Sequence, residues 1–238
     1  MFSDPAVLIL LYFIVPLWFF AGIGDWVCHR RTHIERTSGL PESVAHSIML
    51  FQIGVMMLPA IVFEINAAVI AVAVVTFIVH EITALIDVSY TSPKRNVNFV
   101  EQSMHSLLEM VPLTAILLAA TLHWDQFCAV FGFGAGDWSF TWKAHPLPTG
   151  YLASVMIATV LFAFVPYLEE LFRCWRFRNL VSIREEFVSI AHNPRDGWKD
   201  EKGRTDCEAI VTALDQRLQK GDNTLIGNPA SALFAQRR

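Results

Sequence analysis

Paired cysteines and basic stretches are both missing from this chain. Its four cysteines, Cys28, Cys128, Cys174 and Cys207, lie far apart, and no two of them form a C-x-x-C pair. This spacing provides neither a disulfide framework nor a zinc-ribbon motif. Lysine and arginine number 18 against 22 aspartates and glutamates, which gives a net charge of −4. The charge balance therefore gives no reason to expect nucleic acid as a partner.

Charged residues of either sign are scarce, at 17% of the chain, whereas 54% of the residues are hydrophobic. The mean hydropathy is +0.43. These values are typical of membrane proteins rather than of soluble domains. Five apolar runs approach the length needed to cross a bilayer, at residues 6–24, 45–63, 67–88, 107–122 and 151–172. The sequence therefore predicts an all-α, polytopic membrane protein with about five transmembrane helices.

Two domains are predicted from the change in composition near residue 175. Residues 1–175 contain the apolar runs and form the predicted transmembrane bundle, and residues 176–238 form a predicted helical tail. In the tail, Leu180, Ile183 and Phe187 recur at helical spacing, which predicts an amphipathic helix at the membrane interface. No basic residue precedes the first run, so we expect a transmembrane helix there rather than a signal peptide.

The loops that carry basic residues alternate along the chain. Basic residues follow the first, third and fifth runs, and the long loop between the fourth and fifth runs contains Lys143 alone. By the positive-inside rule, the N-terminus is expected outside and the C-terminal tail in the cytoplasm. The loop at residues 123–149 is rich in tryptophan and phenylalanine, which indicates a segment in the outer interface. A role in lining a substrate site is a second interpretation of this loop, although it lies opposite the predicted histidine cluster.

The first pair of helices carries a stripe of polar residues. Asp25, His29 and His33 are four residues apart, so they fall on one face of a helix. Glu42 and His46 repeat that spacing on the next helix, after a break that contains glycine and proline. If the two helices form a hairpin, His29 lies opposite His46, and His33 lies opposite Glu42.

The third and fourth helices repeat this arrangement. The third ends with His80 and Asp87, and the fourth begins with Glu101, His105 and Glu109 at intervals of four. A hairpin between them would place Asp87 opposite Glu101, and His80 opposite Glu109. Both hairpin turns are expected on the cytoplasmic side, so these residues should meet at one end of the bundle.

Ten ionisable groups on four membrane helices would cost more than the stability of a domain unless they were neutralised. Bound cations neutralise carboxylates while leaving imidazoles unprotonated, and therefore we predict a metal site. A network of salt bridges with nearby arginines is the alternative. Nitrogen and carboxylate ligands without thiolate favour iron, manganese or zinc, and the number of ligands favours two ions. The predicted ligands are Asp25, His29, His33, Glu42, His46, His80, Asp87, Glu101, His105 and Glu109.

Further polar residues near the stripes are predicted to support the ligands rather than to bind metal. Glu35, Glu81 and Tyr90 are expected to orient the imidazoles from a second layer. Glu169 and Glu170 lie beside Arg173, and we expect them to form a solvated helix end.

Histidines at the cytoplasmic ends of several spans resemble the integral-membrane non-haem di-iron enzymes, the histidine-box hydroxylases and desaturases. The resemblance covers residues 25–109, where His29-x-x-x-His33 fits one histidine box and glutamate or aspartate replaces several other histidines. No H-x-x-H-H motif is present. The resemblance implies an oxidase that uses O2 and a cytoplasmic electron donor to hydroxylate or desaturate a lipid or another hydrophobic substrate.

Three other functions fit part of the pattern. Histidines and carboxylates in membrane helices are also typical of proton or divalent-metal transporters, which need polar residues across the whole membrane. A haem-binding electron carrier with two histidine ligands would need few carboxylates. A non-catalytic subunit could bind metal for structure alone.

Overall fold

The computed structural model describes residues 4–192 and 201–220. Five of the helices in this part of the chain are long and apolar enough to cross a membrane. The predicted all-α, polytopic membrane fold is therefore confirmed. The first four of these helices are α1 (Pro5–Thr32), α2 (Leu40–Val62), α3 (Ala67–Thr91) and α4 (Phe99–Leu122).

The fifth long helix, α6, follows a short helix α5 (Trp124–Val130). It comprises Thr149–Thr159, a π turn at Val160–Phe164, and Val165–His192. A second π turn, Leu10–Ile14, lies within α1. The remaining elements are a 3-10 turn at Ile34–Arg36 and the helix α7 (Glu201–Lys220).

The observed helices extend beyond the predicted apolar runs at the ends that carry the polar stripes. Helix α1 continues to Thr32, eight residues past the predicted end at residue 24, and α4 begins at Phe99 rather than at residue 107. The start of α4 is set by Asn98, whose side-chain oxygen accepts hydrogen bonds from the backbone N–H groups of Val100 and Glu101. These extensions place the candidate ligands on regular helix rather than on loops.

The membrane helices pack in two main pairs. Helix α2 packs along α3, and α1 packs along α4, while α3 also contacts α4 and α5. The apolar centre contains Ile53, Met56 and Ile116, with Trp18 packed against them. Many large apolar side chains remain exposed, such as Phe51 at 72%, as expected for a surface that faces lipid.

Gly24 of α1 lies against the Met104 side chain of α4. A β-carbon at this position would lie 2.5 Å from the sulfur of Met104 on α4. The missing side chain therefore leaves room for the Met104 side chain beside Asp25, the first residue of the polar stripe.

The loop at residues 123–149 is attached to the turn between α2 and α3. Asn66 donates through its side-chain amide to Asp137 Oδ2 and to the Ser139 carbonyl, over 3.2 and 2.6 Å. An isolated β-bridge joins Phe63 to Trp142. The aromatic side chains of the loop are largely exposed, with Trp142 at 73%.

The structure divides into two units, one that ends at Leu171 and one that begins at Phe172, whereas the sequence predicts the boundary after residue 175. Within the second unit, Leu180 and Phe187 pack against Leu214 of α7, so the predicted apolar stripe forms a small core. Residues 193–200 and 221–238 of the predicted tail lie outside the residues that the structure describes.

Candidate metal centre

Side chains from α1, α2, α3 and α4 converge at one end of the first unit. We call the seven that meet there the ligand cluster. With the exception of His105, every member is buried to an exposure of 4% or less. The members of the ligand cluster are Asp25, His29, Glu42, His46, Asp87, Glu101 and His105.

The predicted pairing of His29 with His46 is confirmed. Their rings stack with centroids 4.6 Å apart and an angle of 5° between the ring planes. Glu170 of α6 lies beside both rings, with Oε2 2.9 Å from Nδ1 of His29 and Oε1 3.0 Å from Nδ1 of His46. When each Nδ1 carries the proton and donates it to this carboxylate, each Nε2 keeps a lone pair for a cation.

The Nε2 atom of His29 faces three carboxylates of the ligand cluster. It lies 3.2 Å from Glu101 Oε1, 3.4 Å from Asp25 Oδ1 and 3.9 Å from Glu42 Oε1. The side chain of His29 is fully buried. A ring nitrogen surrounded by carboxylate oxygens at these separations suits a position between them for a bound cation.

Two further imidazoles face carboxylates in the same cluster. His105 Nε2 lies 2.8 Å from Asp25 Oδ1, and His46 Nε2 lies 3.3 Å from Asp87 Oδ2. Although some of these atoms lie close together, Asp25 Oδ1, His29 Nε2, Asp87 Oδ1 and His105 Nε2 are buried and make no aligned hydrogen bond. Buried polar atoms are normally paired, and a bound cation would satisfy these.

The ligand atoms form three overlapping sets, each with its members within 4.8 Å of one another. Atoms that share one metal ion lie roughly 3 to 4.5 Å apart, given metal–ligand bonds of about 2.1 Å. The cluster could therefore hold metal after small side-chain movements. The sets are Asp25, His29, His46 and His105; His29, Glu42 and Glu101; and Glu42, His46 and Asp87.

Arg95, in the turn between α3 and α4, contacts two acids of the cluster. Its guanidinium donates to Glu42 and to Glu101. Burial alone would lower the pKa of Arg95, but the hydrogen bonds to Glu101 and Glu42 raise it above its ordinary value. The arginine network that was the alternative to a metal site is thus partly present.

Asp25, Asp87 and Glu170 contact imidazoles rather than Arg95. These imidazoles balance the acids only if they are protonated, whereas a divalent cation balances them with the imidazoles neutral. The Nε2 atom of His29 lies among three carboxylate oxygens without an aligned hydrogen bond, a position that also suits a cation.

Replacing Arg95 by methionine should destabilise the metal-free protein by about 3–5 kcal/mol, because two buried carboxylates would lose their shared cation. A divalent ion should offset part of this loss, so the rise in Tm on adding Fe²⁺ or Zn²⁺ should be larger in the variant than in the wild type. Lys94→Met is the matched control, since Lys94 is exposed in the same turn. Equal Tm values for the two metal-free variants would contradict the structural role of Arg95.

His33 does not reach the ligand cluster, although the sequence predicts it as a ligand opposite Glu42. Helix α1 ends at Thr32, and His33 adopts a left-handed conformation with φ of 53°. Its largely exposed side chain hydrogen-bonds with Glu35, 3.1 Å away. The stripe at intervals of four is interrupted because the helix ends one residue too early. Glu35, predicted to orient the ligands, thus pairs with His33.

The second predicted hairpin register is also different. Asp87 contacts His46 rather than lying opposite Glu101, which faces His29 and Arg95. His80 and Glu109 line a small cavity of about 50 Å³ beside the cluster. Helix α3 packs more closely with α2 than with α4, so its acid meets the imidazole on α2.

Tyr90 and Glu81 have separate positions. The hydroxyl of Tyr90 donates to the Ser38 carbonyl over 3.2 Å, and the hydroxyl of Ser38 donates to Glu42. Tyr90 is therefore linked to a candidate ligand through one residue. Glu81 is half-buried and lies close enough to Glu109 for their charges to interact.

The prediction that Glu170 belongs to a solvated helix end is wrong, because its side chain is fully buried against His29 and His46. Glu169, the preceding residue, instead accepts from the indole N–H of Trp26. The spacing of Glu170 from Tyr167 is the sequence signal that could have predicted burial of Glu170 rather than of Glu169. These residues are three apart on one helix face, and Tyr167 also borders the cluster.

A second, larger cavity of about 250 Å³ lies in the other half of the bundle and has mainly apolar walls. Trp18 and Ile53 line both this cavity and the small one beside the cluster. The candidate metal centre therefore adjoins an apolar compartment.

No protein-family model, curated protein or solved structure matches the chain. The structure presents a membrane protein with a buried cluster that could bind metal.

Proposed function

We propose that the protein is a membrane-bound oxidase with two metal ions, most simply iron, that uses O2 to hydroxylate or desaturate a lipid or another hydrophobic substrate. The observation that carries this proposal is that the two cavities share lining residues. Trp18 and Ile53 separate a cluster of metal-ligating groups from an apolar compartment of about 250 Å³. A hydrophobic chain in that compartment could reach the metal centre without crossing water.

Two ions are favoured because no single ion could use all the ligands. Asp25, His29 and His105 suit one ion, and Glu42, His46 and Asp87 suit a second. The donor atoms are imidazole nitrogens and carboxylate oxygens, which also suit manganese or zinc. Bound reduced iron would supply the chemistry that activates O2.

The chain's own residues hold and shield this site. Glu170 fixes the orientation of His29 and His46, so that both present Nε2 to the ions. The apolar wall at Trp18 and Ile53 excludes water from the reacting chain.

Both reactions require two electrons from an external donor. Hydroxylation inserts one oxygen atom of O2 into a C–H bond, and two electrons and two protons convert the other atom to water. Desaturation removes two hydrogen atoms from neighbouring carbons, and the same two electrons and two protons complete the reduction of O2 to two waters. The ligand cluster lies near the end of α1 that carries Arg30 and Arg31 and near the turn that carries Lys94 and Arg95, which supports a cytoplasmic position and a cytoplasmic electron donor.

The test is reconstitution of the purified, metal-free protein with iron, manganese or zinc in lipid nanodiscs. The proposal expects about two ions per chain, O2 consumption with a chemical reductant when iron is bound, and oxidised lipid detected by mass spectrometry. Metal binding without O2 consumption under any of these conditions would contradict the oxidase and leave a structural metal site. Metal flux into proteoliposomes would support a transporter instead.

A further inference from the structure

The large cavity has a length that matches an extended hydrocarbon chain. Its lining on α1 runs from Val7 to Trp18, and its lining on α4 runs from Val111 to the residue after the helix, His123. At 1.5 Å per helical residue, each of these distances is about 16 to 18 Å. The compartment is therefore a long, narrow space parallel to the helices rather than a round pocket.

Polar groups gather at the end of the cavity far from the metal centre. Lys143, His123 and His145 line this end. The Lys143 ammonium donates to the carbonyls of Ala60 and Phe63 over 2.7 and 2.5 Å. An ammonium has three donors, so one remains for a ligand in the cavity.

Lys143 is the cation at this end. Burial lowers the pKa of His123, and the neighbouring Lys143 lowers it further, so the imidazole is neutral near pH 7. Glu64 accepts from the backbone N–H of Ala144 and does not line the cavity. Burial lowers the pKa of Lys143, and the nearby charge of Glu64 opposes this lowering. Because Glu64 does not line the cavity, Lys143 supplies the positive charge that faces a ligand there.

We propose that the cavity binds a single-chain amphiphile with an anionic head group, with the head at Lys143 and the end of the chain at Trp18. The proposal of a binding site depends only on the shape and lining of the cavity, and not on the proposed oxidase. Its consequence for chemistry rests on the proposed function, because the chain end would then lie next to the ligand cluster. Oxidation would fall near the end of the chain that is farthest from the head group.

Photo-crosslinking tests the orientation without requiring turnover. The probes are two long-chain fatty acids, one with a diazirine at the terminal carbon and one with a diazirine beside the carboxylate. We expect the terminal diazirine to label residues around Trp18, Ile53 and Ala73, and the other to label residues 143–147, by peptide mass spectrometry. The reversed pattern, or the same labelling by both probes, would overturn the proposal.

The role of Lys143 is tested by competition for this labelling. A fatty acid should compete at least tenfold better than the primary alcohol of equal length, because the hydroxyl can accept from the Lys143 ammonium but has no negative charge to pair with it. Lys143→Met should remove this difference, and Lys143→Arg should retain it together with the carbonyl contacts. Lys94→Met, at the opposite end of the bundle, is the control. An alkyl phosphate competitor shows whether the anion preferred is carboxylate or phosphate.

Equal competition by acid and alcohol in the wild type would reject the anionic head group. Ala73→Phe provides a variant that leaves Lys143 untouched, and it should shift the preference towards shorter chains by filling the space near Trp18. If the labelling pattern is as expected but no lipid is oxidised, the binding site stands and the oxidase fails. If lipid is oxidised beside the carboxylate, the oxidase stands and this orientation fails.

Discussion

Replacing His29 by alanine should remove at least one metal ion per chain and reduce oxidation by more than about 100-fold. This loss exceeds the 10- to 100-fold effect typical of residues that only support ligands. The physical reason is the central position of the imidazole, whose Nε2 faces Asp25, Glu42 and Glu101 within 3.9 Å. The measurements are elemental analysis of the purified variant and O2 consumption with a reductant.

His33→Ala is the matched control for this experiment. His33 is four residues further along the chain, but α1 has ended and the side chain is largely exposed. The control should keep the metal content and activity of the wild type. If His33→Ala lost metal and His29→Ala did not, His33 rather than His29 would be the ligand on this part of the chain, and the proposed ligand cluster would be wrong.

Replacing Glu170 by glutamine should weaken metal binding by about 10- to 100-fold while leaving the helices intact. In the wild type, two carboxylate oxygens accept from the Nδ1 atoms of His29 and His46. The amide has one oxygen and one NH2 group, so it can accept from only one of the rings. The other ring would have to turn its Nδ1 lone pair towards the NH2 group, and its Nε2 would carry the proton and could not bind metal.

The affinity is measured by titrating the metal-free protein with zinc or iron against a chelator of known strength. Glu169→Gln is the control, because Glu169 is the neighbouring acid and contacts Trp26 and Arg30 instead. Equal affinities for Glu170→Gln and the wild type would show that the carboxylate does not set the orientation of the rings.

The transmembrane helices were predictable because hydropathy along the chain reports local burial in lipid. The pairing of His29 with His46 was also predictable, since both lie in helices joined by a short turn. The ends of the helices were harder to place. Helix α4 begins eight residues before the apolar run because Asn98 caps it, and Glu101 near its start is stabilised by Arg95.

Contacts between distant parts of the chain could not be predicted in the same way. Glu170 lies 141 residues from His29, and the run of arginines after it gave it the appearance of a solvated helix end. Arg95 is part of the charge pattern that predicts orientation, yet its side chain is buried in the candidate site. In both cases the partner is fixed by how whole helices pack, which spacing along one helix does not reveal.

The two π turns divide α1 and α6 into halves, and the direction in which the side chains of one half point is offset from that of the other half. Each π turn contains one residue more than an α-helical turn, so it rotates everything before it relative to everything after it. In α1, Leu11 and Ile14 of the turn line the apolar cavity, whereas Asp25 and His29 follow it by several turns. Removing a single residue from this turn should therefore rotate the half of α1 that lines the apolar cavity, while Asp25 and His29 keep their places on the other half.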